Sequence, residues 1–106
     1  MKIAGPGSIA SWRKCAGALQ PAELRGSTFT VTSAGKLGGL LQTPIVNHPE
    51  VAILSIGRIA ERPVVRDGEV VAAQTGYVSL TFDHRVIDGA RAAEFGLAVI
   101  DRIERS

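Results

Sequence analysis

The chain has 106 residues, of which 45% are hydrophobic and 21% charged, a balance that suits one domain with a modest core and excludes the low-hydrophobicity pattern of disorder. No apolar run approaches the ~20 residues needed to span a bilayer, so a membrane partner is not expected. Formal net charge is +2 and the basic residues are scattered, which leaves no stripe of Lys and Arg interleaved with aromatics for nucleic acid.

The N-terminus has Lys2 but no continuous hydrophobic segment before the breaker Gly5-Pro6-Gly7, so no signal peptide is expected. Ser8 stands where an N-cap would, ahead of a predicted helix over residues 9–19 that carries Ile9, Trp12, Ala16 and Leu19 on one face. Cys15 within it is the single cysteine, which excludes an internal disulfide, leaves no ligand set for a structural metal site and predicts a reducing, cytoplasmic location. Pro21 and Gly26 bracket a helix exit and a turn, with Gly26 free to take a positive φ.

Residues 28–33, Thr-Phe-Thr-Val-Thr-Ser, alternate as a strand with Phe29 and Val31 on one face and Thr28, Thr30 and Thr32 on the other. Such a hydroxyl face is not ordinary core. Gly35, Gly38 and Gly39 open a flexible loop, and Pro44-Ile45-Val46-Asn47-His48-Pro49 reads as extended because a residue before proline avoids the helical region. The nearly continuous apolar run 51–59, rich in β-branched residues, predicts a central strand covered on both faces. Residues 64–71 carry a hairpin signal, with Asp67-Gly68 supplying a tight primed turn.

Residues 77–82 alternate again and deliver Asp83 and His84 to the strand's C-terminal end. From Gly89 the period is helical, with Ala93, Leu97, Ile100 and Glu104 on one stripe, flanked by Ala92, Gly96, Val99 and Ile103, and with Asp88 as N-cap. Gly96 costs such a helix about 1 kcal/mol against alanine, so either the helix is marginal there or another backbone packs closely on it. The order of helix, strand, strand, hairpin, strand and helix predicts an α/β chain with a mixed sheet flanked by helices.

His84 is the first candidate for chemistry, because the unperturbed imidazole titrates near neutrality and a strand end gives the ring a fixed position. Asp88 reads first as a helix start. The run Asp83-His84-Arg85-Val86-Ile87-Asp88-Gly89-Ala90 resembles the active-site motif of the dihydrolipoamide acyltransferase components of 2-oxo acid dehydrogenase complexes, within the superfamily that includes chloramphenicol acetyltransferase. Two further blocks are similar to that family in order and spacing, residues 24–39 (Leu24-Arg25-Gly26-Ser27-Thr28-Phe29-Thr30-Val31-Thr32-Ser33-Ala34-Gly35-Lys36-Leu37-Gly38-Gly39) and 43–54 (Thr43-Pro44-Ile45-Val46-Asn47-His48-Pro49-Glu50-Val51-Ala52-Ile53-Leu54). The similarity covers roughly residues 18–103 and is closest to the branched-chain type.

The resemblance implies transfer of an acyl group between a dihydrolipoyl thiol and coenzyme A, both as substrates and without a metal. It implies that His84 takes the proton from the attacking thiol, that Thr32 stands where the family has a hydroxyl to stabilise the oxyanion, and that Asp88 supports the site by charge pairing. It implies a homotrimer or larger assembly with the other components of such a complex, each site built from the histidine of one chain and the hydroxyl of the next. Residues 1–106 would then be a partial catalytic domain matching the C-terminal half of the coenzyme A-dependent acyltransferase fold, with lipoyl and subunit-binding domains absent. The alternative is a catalytically incomplete assembly module or truncated remnant. Asn47 falls in a block that the family uses near its substrate channel and His48 reads as an exposed loop residue; neither is assigned a catalytic role.

Overall fold

A computed structural model describes residues 2–3 and 26–106. The helix expected over 9–19, with Ser8 and Cys15, lies outside the described residues, as does the exit at Pro21. The described elements are β1 (Lys2–Ile3), β2 (Phe29–Ser33), a single 3-10 turn at Gly35–Leu37, β3 (Ala52–Ile56), β4 (Ala60–Arg66), β5 (Glu69–Thr75), β6 (Val78–Phe82) and the helix α1 (Gly89–Arg105). β1 had no counterpart among the expected elements, because two residues are too short for a periodicity.

The mixed sheet has the order β1-β2-β3-β6, with β2 and β3 parallel and the outer pairings antiparallel. β3 lies at its centre, with Ala52, Ile53 and Leu54 each no more than 6% exposed, as the apolar run 51–59 predicted, though it stops at Ile56. Gly26 takes φ 78° as expected.

The register gives each face of the sheet a distinct character. Thr32, Ser55 and Ser79 form one row across β2, β3 and β6, and Thr30, Ile53 and Thr81 form the next row on the same face. The hydroxyl face read in β2 therefore continues through three strands. Phe29, Val31, Ala52, Leu54, Ile56, Val78, Leu80 and Phe82 alternate onto the other face, where α1 packs and the Phe29 and Phe95 rings meet with centroids 5.7 Å apart. Among the described residues the helix covers this face incompletely, leaving an apolar groove of about 320 Å³ lined by Phe29, Leu80, Ile87 and Phe95 among others.

Two parallel neighbours need a crossover, and here it is residues 34–51, which contain no α-helix. Side chains of this crossover meet the hydroxyl face: Ser55, fully buried, donates to Gln42 Oε1, and Thr30 donates to Glu50 Oε1 at 2.6 Å. The stretch expected to run extended through His48 and Pro49 instead reverses there. His48 and Pro49 form the centre of a turn joined by a cis peptide bond, in which the Glu50 N–H donates to the Asn47 carbonyl at 2.9 Å.

β4 and β5 form a separate two-stranded sheet that extends the expected hairpin outward to the pair Ala60 and Thr75. Asp67 at φ 51° and Gly68 at φ 78° provide the two left-handed positions of a primed turn, as the Asp-Gly pair predicted. Val65 and Val70 on this hairpin are each 72% exposed.

α1 begins where predicted, with Asp88 Oδ1 accepting the Arg91 N–H at 2.9 Å. Its orientation corrects the expected stripe. Ala92 is buried and Gly96 and Val99 are half-buried, whereas Leu97 is 67% and Ile100 39% exposed. The arc of apolar residues is wide enough to offer two stripes, and the contact of Phe95 with Phe29 selects the one through Ala92. Among the described residues Gly96 has no close neighbour to explain it, since a Cβ there would meet none of their atoms within 4 Å.

The same substitution is therefore expected to act with opposite sign at two sites. Gly96→Ala should raise, and Gly68→Ala should lower, the unfolding free energy by about 1 kcal/mol each, measured by urea denaturation. A destabilised Gly96→Ala would show that this face of α1 is occupied.

Candidate active site

The loop between β6 and α1 is built around Asp83. Its N–H donates to the Val51 carbonyl at 2.8 Å, which fixes the loop to the entrance of β3, and its own carbonyl accepts the Val86 and Ile87 N–H groups at 3.0 Å each. The Asp83 carboxylate accepts the Arg85 N–H at 3.0 Å and the guanidinium at 2.8 to 3.3 Å, a fork held by geometry as well as charge. These hydrogen bonds from the Arg85 side chain first and its N–H second lower the Asp83 pKa to about 2, with the charges of Arg85 and His48 adding to the effect. Arg85 is raised correspondingly by the same carboxylate.

His84 lies between these two held residues. Its ring is exposed and stands against Phe82, centroids 5.5 Å apart at 40°. Asp88 makes the N-cap bond to Arg91, so among the described residues its observed work is to anchor α1 directly after the histidine loop. His48 belongs to the same end of the sheet, in the turn that leads to Val51, whose carbonyl holds Asp83. It is exposed, as the sequence indicated.

Thr32 is half-buried near the opposite end. It shares a row with Ser55 and Ser79, whereas β6 runs on from Ser79 to Phe82 before reaching His84. That run is about 10 Å at ~3.4 Å per residue, and two strand spacings add roughly 10 Å sideways. Within one chain the structure keeps the hydroxyl and the imidazole apart.

Sequence reasoning missed Glu50. It is 7% exposed and accepts Ser27 Oγ at 2.8 Å, Thr30 Oγ1 at 2.6 Å and Asn47 Nδ2 at 2.8 Å. The available signal was a carboxylate set immediately before an apolar run, opposite a strand face whose hydroxyls needed acceptors. Asn47, left without a role, is one of its donors. Among the described residues no group of three His, Cys, Asp or Glu side chains could hold a metal ion, and no helix is long and apolar enough to cross a membrane.

Residues 7–106 match the family model of the 2-oxoacid dehydrogenases acyltransferase (catalytic domain). The chain belongs to this family. It is 60% identical over 76 residues to the dihydrolipoyllysine-residue acetyltransferase component of the pyruvate dehydrogenase complex of Bacillus subtilis (strain 168), covering 72% of this chain and 17% of that protein. The fold is similar to that of a probable dihydrolipoamide acetyltransferase from Listeria monocytogenes 4b F2365, with a TM-score of 0.80 and 35% identity over 90% of this chain and 41% of that one. It is also similar to the Azotobacter vinelandii dihydrolipoamide acetyltransferase, with a TM-score of 0.74 and 40% identity over 86% of this chain and 37% of that one. In the latter protein the roles of a serine, a histidine and an asparagine in the catalytic mechanism were investigated. The chain thus spans less than half the length of the relatives it matches. The mixed sheet with its C-terminal helix is the α/β architecture of this acyltransferase fold, as the sequence resemblance implied.

Because the Asp83 pKa in the folded state lies below the unfolded value of 3.8, the Asp83–Arg85 contact stabilises the loop above that value and loses its effect as pH falls through about 2. Denaturation curves of the wild type and Asp83→Asn should differ above pH ~4 and converge toward pH ~2. Curves that remain parallel over this range would remove the contact from the stability of the loop.

Proposed function

We propose that the chain is the C-terminal part of a dihydrolipoamide acyltransferase catalytic domain, acting in the cytoplasm on dihydrolipoyl and coenzyme A substrates within a 2-oxo acid dehydrogenase complex. The observation that carries this reading is a coincidence of intervals. The serine, histidine and asparagine named for the Azotobacter vinelandii enzyme are separated by the same intervals as Thr32, His84 and Asp88. Threonine retains the hydroxyl of serine, and aspartate retains the acceptor of asparagine while adding a charge.

In the proposed reaction His84 accepts the proton from the coenzyme A thiol as its sulfur attacks the carbonyl carbon of the acyl-dihydrolipoyl thioester. Such assistance contributes typically ~10²–10⁴ in rate. Negative charge then develops on the carbonyl oxygen, and the Thr32 hydroxyl donates to it; loss of one such donor costs about 2.7–4 kcal/mol in comparable sites. Collapse of the intermediate breaks the bond to the dihydrolipoyl sulfur, which takes the proton back from the imidazolium. Asp88 supports the histidine loop by capping α1 and, in the assembled protein, by charge pairing.

The separation of Thr32 from His84 along the sheet supports a site shared between copies. A homotrimer in which the β2 end of one chain faces the histidine loop of the next restores the pair. The acyl group is acetyl in the name of the Bacillus subtilis relative, while the sequence blocks resemble the branched-chain type; competition between acetyl and branched acyl donors decides between them.

His84→Ala is expected to abolish coenzyme A-dependent acyl transfer, Thr32→Ala to reduce kcat by on the order of 100-fold, and Thr32→Ser to retain it. Mixed oligomers of His84→Ala and Thr32→Ala should regain part of the activity, because some interfaces then carry both intact groups. Full rate in His84→Ala would overturn the reading. Defined oligomers without transfer would favour a catalytically incomplete assembly module.

A further inference from the structure

The proposed reaction does not use Glu50, although it is a buried carboxylate that, among the described residues, gathers donors from three separate places. Ser27 precedes β2, Thr30 is within it and Asn47 starts the turn that leads into β3. An ionised carboxyl group is acceptor-only and can take all three at once. The Thr30 bond, at 2.6 Å, has the length of a charge-assisted O–H···O bond, and the Ser27 and Asn47 bonds are 2.8 Å each.

What Glu50 holds is connected to the histidine through very few bonds. Its own N–H closes the turn onto the Asn47 carbonyl, and the next carbonyl, that of Val51, receives the Asp83 N–H at 2.8 Å. Asp83 in turn holds both the N–H and the guanidinium of Arg85. His84 is therefore the residue between two fixed points, and one of them is referred through Val51 to Glu50. We infer that Glu50 is a positioning residue for His84, setting through the Val51–Asp83 hydrogen bond the height at which the imidazole stands at the sheet end.

A carboxylate can accept all three bonds without any partner reversing its role. Glutamine would bring an NH₂ group against the Asn47 amide and the two hydroxyls, forcing at least one donor to reorient. Aspartate would be one methylene too short to keep all three. The inference rests on the acyl-transfer reading for its kinetic consequence, but its structural consequence stands apart from that reading.

The test uses the full chain with Glu50→Gln, the near-isosteric Thr30→Val that deletes one donor, and Glu61→Gln as a control at an exposed hairpin carboxylate. Glu50→Gln should lower kcat by on the order of 10- to 100-fold, with KM for coenzyme A held within about twofold. Thr30→Val should act in the same direction with a smaller loss. The His84 imidazole signals in ¹H–¹³C NMR spectra should shift in both variants and stay fixed in Glu61→Gln. Unchanged His84 signals with an unchanged kcat would overturn the inference, as would an equal response in Glu61→Gln, and a Glu50→Gln chain that fails to fold leaves Thr30→Val to decide. If the wild type transfers no acyl group yet the His84 signals move in both variants, the reading of function falls and the positioning role survives.

Discussion

A carboxylate buried, among the described residues, against three hydrogen-bond donors fixes how the two central strands of this protein are joined. β2 and β3 are parallel neighbours, so the chain between them must travel back along the sheet, and it does so with a single 3-10 turn and no α-helix. The hydroxyl face supplies what the crossover lacks. Glu50 engages Thr30 and Gln42 engages Ser55, so polar groups of the sheet and of the crossover satisfy one another. Leaving a buried group of this kind unpaired costs about 1–3 kcal/mol, more when it is charged, which is why a sheet face rich in threonine and serine and a crossover carrying Glu50, Asn47 and Gln42 belong together.

From that constraint follows the layout of the candidate groups. The crossover enters β3 at Val51, and the same point receives the loop that leaves β6, so His48, Asp83, His84 and Asp88 gather at one end of the sheet. Thr32 precedes the crossover and remains toward the other end. Parallel pairing of β2 with β3 and antiparallel pairing of β3 with β6 make this separation a property of topology, which no rotamer change can remove. The proposed site shared between copies rests on this separation.

Much of the local structure was legible in the residues. Asp67-Gly68 specified a turn with two positive φ angles because few other pairs tolerate them, and Asp88 marked the start of α1 because a side-chain acceptor before an apolar period has few other uses. The central strand was legible because only burial on both faces accommodates so continuous an apolar run. The helix was legible in length but not in rotation: Ala92 and Leu97 lie on adjacent apolar stripes, and the partner ring of Phe29 is far away in sequence. Glu50 was passed over because its donors, Ser27 and Thr30, converge on it only after β2 and β3 pair.

The sequence by itself determined the family and most of the local elements among the described residues, because turn signals, caps and hydrophobic periods depend on neighbours a few residues apart. Tertiary structure alone decided which helix face turns inward, which carboxylate organises the histidine end and that Thr32 and His84 stand apart. Those outcomes depend on strand order and register, which bring residues together across intervals that no local pattern records.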